Sequence, residues 1–376
     1  MLLGNPRTIG IDLGTTGVRV AEVGWKNGRP TLERWAAADF DAEVTDWITC
    51  DTRGLSQLVR NVLEKNGFRD CWASHAVEGE AVAPQYFSFP KLLPEDVAEA
   101  VRIEVEGGLP FRVEDALISY VLFPDLRVTG ASSEDGESTM EASAKGEKQE
   151  TVKSRTHGLA IAAEHNFVES RLNILRMAGA ETFCVETDAT ACANALIATS
   201  GLKQNESGAT AVLNMGHRYV NLALLGSGTI LVRDIPVGGA HVTKAISELL
   251  NVSETEAERL KRAHWENGPE AAGALDNRMR EVLDASLQDL CDRLLDTVQY
   301  WAGERLVPGL GRVLLTGGGS QIRELPEMLT RVFGVPVERW HPFSSNGQKT
   351  DKRLASSAYR MTVAFGLALR RVPRSA

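Results

Sequence analysis

The sequence predicts an α/β protein made of two similar lobes, with a small α+β subdomain inserted in the first. Three observations carry this expectation. The stretch IGIDLGTTGVRVAEV, starting at Ile9, runs strand, glycine turn, strand, and AVLNMGHRYVNLALLGSGTILVRDIPVGGA repeats that order near the middle of the chain. Laid over one another, Asp12 falls on Asn214, Gly14 on Gly216 and Val20 on Leu222. The texture between the two copies changes from about residue 85, which marks the insertion. Finally, 376 residues with 43% apolar content suffice for more than one core.

The elements follow in order. GVRVAEVGW and TLERWAAADF read as antiparallel strands joined across KNGRP, because Asn27-Gly28 suits a hairpin turn with two positive φ angles. TRGLSQLVRNVLEKNGF reads as a helix with Leu55, Leu58, Val62 and Leu63 on one face and Gly67 as its stop. PEDVAEAVRIEVEGGLPF predicts a proline-started helix ended by Gly107-Gly108, and ALISYVLF a strand. Residues 128–156 hold almost no large apolar side chain, so burial cannot offset their ordering entropy; they predict a disordered surface loop. The strand GLAIAAE and the helix HNFVESRLNILRMAGA close the insertion. In the second lobe, Leu283, Leu287, Leu290, Leu294, Val298 and Trp301 recur at helical spacing in a long helix. GRVLLTGGGSQIRELPEML then predicts a buried strand, a triple-glycine turn and a helix, and YRMTVAFGLALRRV a last helix. The expected divisions are 1–84 for the first lobe, 85–180 for the insertion and 181–210 for the return to the first lobe. The second lobe takes 211–345, and 346–376 brings the last helix back to the first.

Bulk chemistry excludes several functions. The net charge of -9 comes from 41 basic and 50 acidic residues with no basic block, so no nucleic-acid partner is expected. Five scattered cysteines suit a reducing cytoplasm, and none sits in a CxxC or beside histidines at zinc-ligand spacing. His217, His264 and His341 show no metal-ligand spacing, and the tryptophans read as packing. MLLGNPRT is too short for a signal peptide, and no run approaches the ~20 apolar residues of a membrane span. The expectation is a soluble cytoplasmic protein with no direct membrane insertion.

Two glycine turns at strand ends can hold a polyphosphate between them, since glycine lets backbone N–H groups approach phosphate oxygens without a Cβ in the way. Gly14 supplies that freedom in the first turn, Thr15 and Thr16 add hydroxyl donors, and Asp12 would orient water on a magnesium ion. The second turn departs from this pattern. Asn214 stands in place of the acid, and His217-Arg218 follow Gly216. An amide oxygen still accepts a hydrogen bond but is a poorer partner for hydrated magnesium. Arg218 either approaches the phosphates as a bidentate cation or pairs with a nearby acid.

With these turns, TGGGS and the two helices that connect the lobes, the chain resembles the actin-like ATPase superfamily, with its duplicated ribonuclease H-type fold. RIEVEGGLPFRVEDALISYVLF, GLAIAAEHNFVESRLNILRMAGAE, VSETEAERLKR and AFGLALR are similar to the PilM family of type IV pilus assembly. The resemblance implies ATP and Mg2+ as ligands, with Gly14, Thr15 and Thr16 on the phosphates and Asp12 serving the metal. Arg19 stands where the family commonly has a phosphate-reaching lysine. Glu258 and Lys261 match the acid and base beside the nucleoside, or form a plain surface ion pair at i, i+3. Gly317, Gly318 and Gly319 would receive the adenosine, with Gly238 and Gly239 in the same wall. Asp188 corresponds to an acid that positions the attacking water, and equally suits an N-cap for the following helix. With Asn214 in the second turn, slow or absent hydrolysis is expected.

The resemblance also implies a scaffold on the cytoplasmic face of the inner membrane, held there by the N-terminal cytoplasmic peptide of a PilN-type protein. Through it the chain would join the pilus inner-membrane alignment complex; self-association stays open. The alternatives are a cytoplasmic platform component of a type II secretion system, an FtsA-like division protein, or an actin-fold small-molecule kinase. RRVPRSA is too short for the membrane helix of the division proteins, and no acid suggests itself as a kinase base.

Overall fold

The computed structural model describes residues 7–69, 71–123, 155–200, 208–226, 228–267, 277–303, 309–343 and 352–372. Strands β1 (Thr8–Gly14), β2 (Gly17–Lys26) and β3 (Arg29–Asp39) form an antiparallel meander. Its β2–β3 turn has Asn27 at φ 52° and Gly28 at φ 74°, as the Asn-Gly pair predicts. Helix α1 (Thr52–Lys65), capped where Asp51 Oδ1 accepts from the Gly54 N–H at 3.0 Å, leads to β4 (Trp72–Val77), parallel to β1.

The chain then passes through β5 (Val82–Pro90), α2 (Val97–Glu106), β6 (Ala116–Leu122) and β7 (Arg155–Glu164), which give a separate sheet of order β5-β7-β6. Helix α2 buries Val97, Val101 and Val105 against Phe87, Phe89 and Ala160 of that sheet. The loop expected at 128–156 lies outside the described residues except for Arg155 and Thr156. These two belong to β7, paired with Pro90 and Phe89. Arg155 anchors that end of the strand by donating to the Ser88 carbonyl at 2.6 Å.

Helix α3 (His165–Met177) places Ile174 and Leu175 in the core around β1 and β2, and β8 (Glu181–Thr187) completes the first sheet in the order β3-β2-β1-β4-β8. After helix α4 (Asp188–Ser200) the pattern repeats. Strands β9 (Ala209–Met215), β10 (Val220–Gly226) and β11 (Thr229–Ile235) are followed by α5 (Gly239–Leu250), α6 (Glu254–Asn267) and α7 (Asn277–Gly303). Strand β12 (Leu310–Thr316), α8 (Leu325–Phe333) and β13 (Val337–Arg339) finish a second sheet ordered β11-β10-β9-β12-β13. The repeat is carried into the ladders: Asp12 lies opposite Arg19 in one, and Asn214 opposite Asn221 in the other. Of the predicted α7 stripe, Leu287, Leu290, Leu294 and Val298 are buried against β9 and β12; Leu283 and Trp301 lie outside the described side chains.

Helices α9 (Lys352–Ser357) and α10 (Thr362–Ala368) return to the middle of the molecule. There α10 and the alanine-rich α4 form a core shared by both lobes, with Phe365, Ala364, Ala191, Leu196, Ala223 and Val232 all buried. The helices can approach this closely because position 366 is glycine; a Cβ there would lie 1.9 Å from the Ala191 carbonyl oxygen. No helix among the described residues is long and apolar enough to cross a membrane.

Candidate functional site

A cleft of about 440 Å³ opens where the strand ends of the two sheets face each other. Asp12, Gly14, Thr15, Thr16 and Arg19 line one wall, and Asn214, Gly216 and Gly239 line the other. Glu258 and Lys261 of α6 and the glycines Gly317, Gly318 and Gly319 close one end, and Asp188 lies on the floor. Two predicted residues are placed elsewhere, Gly238 and Arg218.

The first turn is tied down through its carbonyls, which accept from the N–H groups of Val44 (Thr15 O, 2.8 Å) and Phe40 (Thr16 O, 3.0 Å). Beneath it lies a buried cation, Arg171 of α3. Its guanidinium donates to the carbonyls of Leu13 and Ala76, the latter at 3.2 Å, and lies 4.2 Å over the Trp47 ring. Arg171 Nε also donates to His75 Nε2 at 3.0 Å, while His75 Nδ1 faces the Ile11 carbonyl at 2.9 Å. An acceptor at Nε2 and a carbonyl at Nδ1 assign the neutral ring protonated at Nδ1. Burial, and then the nearby Arg171 charge, push the His75 pKa down to about 3.

Arg171 faces a set of recessed acids. Burial raises the pKa of Asp12, opposed by Arg19 and Arg171. Burial and then Asp234 raise Glu78 to about 7, and burial with Glu78 and Asp12 lifts Asp188 well above the usual carboxylate range. Asp188 is free of the capping duty it could have had. The cap of α4 is Thr187, whose Oγ1 accepts from the Thr190 N–H at 3.1 Å while Thr190 Oγ1 accepts from the Thr187 N–H at 3.1 Å.

The second turn is built from neutral amides. Asn214 Nδ2 donates to Asn221 Oδ1 at 2.7 Å, and Asn221 Nδ2 donates to Glu78 Oε2 at 3.0 Å and Asp234 Oδ1 at 2.8 Å. This relay joins the lobes, helped by the Gly79 N–H donating to Asp234 Oδ2 at 2.7 Å. Arg218 does not approach the phosphate path. It pairs with Glu43 and donates to the Thr45 carbonyl at 3.0 Å, while His217 Nε2 meets the other Glu43 oxygen at 3.0 Å. Gly238, expected in the nucleoside wall, does not line the cleft and is closely packed, since a Cβ there would lie 2.5 Å from the His217 carbonyl oxygen and 2.8 Å from that of Gly216.

At the far end, Lys261 is 2% exposed and pairs with Glu258. Its Nζ also donates to the Gly239 carbonyl at 2.9 Å and to Thr243 Oγ1 at 2.7 Å. Burial alone would raise Glu258, but Lys261 and the donors Thr243 and Arg262 pull it down to about 2. The pair is therefore a hydrogen-bonded unit with its cation buried and its acid partly open, and not a fully solvated ion pair. Gly317 has φ 81°, and a Cβ on it would lie 2.5 Å from Asn214 Oδ1, so only glycine lets this turn wrap the second one.

The donor set fits hydrated magnesium, which binds through one or two carboxylates plus phosphates. Asp12 lines the cleft, and among the described residues no group of three or more His, Cys, Asp or Glu side chains could hold a metal by itself. The structure also adds cleft residues that the sequence left unmarked: Glu78, Arg262 and Arg360. Arg262 had a signal, being next to Lys261 on a short acidic-basic helix. Glu78 had one too, since it directly follows β4, a strand parallel to the β1 that carries Asp12 near its end. Arg360 had none.

Comparison with known proteins adds the following. Residues 10–372 match the family model described as type IV pilus assembly protein PilM. A solved structure described as a PilM-PilN type IV pilus biogenesis complex is similar over 97% of this chain and 98% of that one, at 23% identity and a TM-score of 0.78. The ethanolamine utilization protein EutJ from Carboxydothermus hydrogenoformans is similar over 98% of this chain and 91% of its own, at 16% identity and a TM-score of 0.53. At those identities the likeness is one of fold, and it is the duplicated actin-like fold that the sequence predicts. Cell division protein FtsA of Rhizobium meliloti (strain 1021) is 25% identical over 158 residues, and that of Agrobacterium fabrum (strain C58 / ATCC 33970) 27% identical over 158 residues. The matched part is 36% of this chain and 35% of each relative, so the chain spans about a third of the curated relatives it matches.

Proposed function

The chain belongs to the type IV pilus assembly protein PilM family, and on that premise we propose that it is a nucleotide-binding scaffold of pilus assembly. ATP lies between the lobes, its phosphates against Gly14, Thr15 and Thr16 and its nucleoside between the Glu258–Lys261 pair and Gly317–Gly319. The observation that carries this reading is the convergence of both glycine turns, the buried ion pair and the triple-glycine turn on a single cleft.

Asp12 would hold a hydrated magnesium ion, which would supply charge to offset that of the phosphates. Backbone N–H groups and the Thr15 and Thr16 hydroxyls bind the phosphates. Asp188 orients a water; burial, with Glu78 and Asp12 beside it, raises its pKa, which disfavours the charged carboxylate that would take a proton. Asn214 spends its amide N–H on Asn221 and brings no charge to the metal. Both facts support slow or absent hydrolysis. The solved relative is described as a complex with PilN; by analogy this chain takes the N-terminal cytoplasmic tail of a PilN-type protein and is held by it at the inner membrane.

Titration calorimetry with ATP and magnesium tests the site, and a phosphate-release assay tests the slow turnover. The expected result is millimolar or tighter binding with few turnovers per hour, raised about tenfold or more by Asn214→Asp. No binding at millimolar ATP overturns the nucleotide reading. Turnover of many per minute that Asp188→Ala abolishes overturns the slow-hydrolysis reading.

A further inference from the structure

Asp39 ends β3, opposite Gly17. Its carboxylate accepts from Arg19 Nη2 at 2.8 Å and from both Nη groups of Arg360, one of them at 3.4 Å, and Arg262 Nη1 lies 3.9 Å away. All three arginines line the cleft. Arg262 is also held by Glu258 at 2.8 Å, and Arg19 also faces Asp12 across the β1–β2 ladder; on Asp39 itself, two guanidiniums, those of Arg19 and Arg360, share one carboxylate. Arg19 is 6% exposed, and its Nε has no hydrogen-bond partner among the described residues. A buried, unfilled donor on a fixed cation is costly unless an acceptor arrives.

The two side chains lie against different turns of the cleft. A Cβ on Gly17 would lie 3.0 Å from Arg19 Nη1, so that guanidinium lies against the first turn. Arg360 Cγ lies 3.9 Å from where a Cβ on Gly318 would be, so its stem lies against the triple-glycine turn. A ligand that spans the two turns meets both cations, which share Asp39 Oδ1. Asp39 itself is 44% exposed in its side chain and can turn to water.

We infer that Asp39 is a resident anion that the ligand's phosphate replaces, Arg19 and Arg360 passing from the carboxylate to the phosphate nearest the nucleoside. This rests on the nucleotide reading above and adds to it a charge-specificity residue, Arg360, and an internal competitor, Asp39. A weakly charged ligand does not displace the carboxylate; a polyphosphate, with more acceptor oxygens and more charge, does. Neither bonds nor protons change in the exchange.

The test is calorimetric titration of ATP and of inorganic tripolyphosphate into the full chain, the Arg360→Gln variant and the Asp39→Asn variant. Thermal unfolding without ligand checks that each is folded. Loss of a charged hydrogen-bonding pair predicts about tenfold weaker binding of both ligands to Arg360→Gln, with Arg360→Lys between it and the parent. Removing the competitor predicts about threefold or more tighter binding of both to Asp39→Asn. Unchanged affinities, weaker binding to Asp39→Asn, or an Arg360→Gln loss seen with ATP but not tripolyphosphate overturns the inference while leaving the nucleotide reading intact. A parent chain that binds no ATP overturns both.

Discussion

The two glycine turns share a backbone and differ in chemistry. In each, a residue near the end of the first strand lies opposite one near the start of the second: Asp12 with Arg19, and Asn214 with Asn221. The first turn is charged and stands on the buried Arg171, with His75 held neutral beside it. The second is a relay of two amides that ends on the Glu78 and Asp234 carboxyls, and its His217 and Arg218 reach across the lobes to Glu43. Duplication therefore keeps the geometry and frees one copy's side chains for another task. The first lobe carries the charges suited to a phosphate and metal, and the second carries the links that hold the lobes together.

The largest expected effect comes from removing the first turn's foundation. Arg171→Met takes the donor from the Leu13 and Ala76 carbonyls and from His75, and leaves Asp12, Glu78 and Asp188 without their buried counter-charge. Stranding three buried acceptors in this way costs about 1–3 kcal/mol for each. Asn221→Ala, in the second turn, removes a neutral amide from Asn214 and from the Glu78 and Asp234 carboxyls and costs about 1–3 kcal/mol. Urea unfolding of both variants measures the difference, and equal losses would mean that the contrast in charge has no energetic content.

A pH titration sharpens the same contrast. Glu78 is raised to about 7 by burial and then by Asp234, against about 4.3 for an unfolded glutamate. The native state thus holds this proton more tightly than the unfolded chain does. Its stabilisation is complete below about pH 4.3 and is lost as pH rises through 7, by at most about 1.4 kcal/mol per unit. Glu258, pulled down to about 2 mainly by Lys261 against its burial, acts in the opposite sense, its contribution fading as pH falls from about 4.3 toward 2. Urea midpoints of the parent and Glu78→Gln should converge toward a constant difference above pH 7 and diverge in slope between pH ~4.5 and 7. Parallel curves across that window would show that Glu78 titrates as in water.

How much of this could be read from the sequence depends on how far apart the interacting residues are in the chain. The hairpin at Asn27-Gly28, the glycine stop at Gly67 and the offset that pairs Asp12 with Asn214 are local patterns, and the structure reproduces them. Glu258 and Lys261 were visible as an i, i+3 pair, but not that Lys261 would be buried, since that follows from the packing of α5 on α6. Arg171 gave no warning because a lone arginine within FVESRLN looks like part of a solvated helix face. Arg360 meets Asp39 across 321 positions, and Arg218 meets Glu43 across 175. Contacts of that range leave no periodicity in sequence. Asp188 was ambiguous for a different reason: an aspartate there suits a water-positioning acid or an N-cap, and only the Thr187–Thr190 hydrogen bonds show that the cap is Thr187.

The smallest expected effect tests the second turn's links directly. Glu43→Gln keeps an acceptor for one neighbour and removes the charge that faces both His217 and Arg218. The side chains are partly open, 25% for Glu43 and 33% for Arg218, so water and salt already screen the pair. Arg218 keeps its hydrogen bond to the Thr45 carbonyl. The expected loss is below about 1 kcal/mol, and high salt should remove most of it by lowering the parent's stability toward the variant's. A salt-insensitive loss above about 2 kcal/mol would make this contact an anchor of the fold. The second turn would then matter to stability as much as the first does.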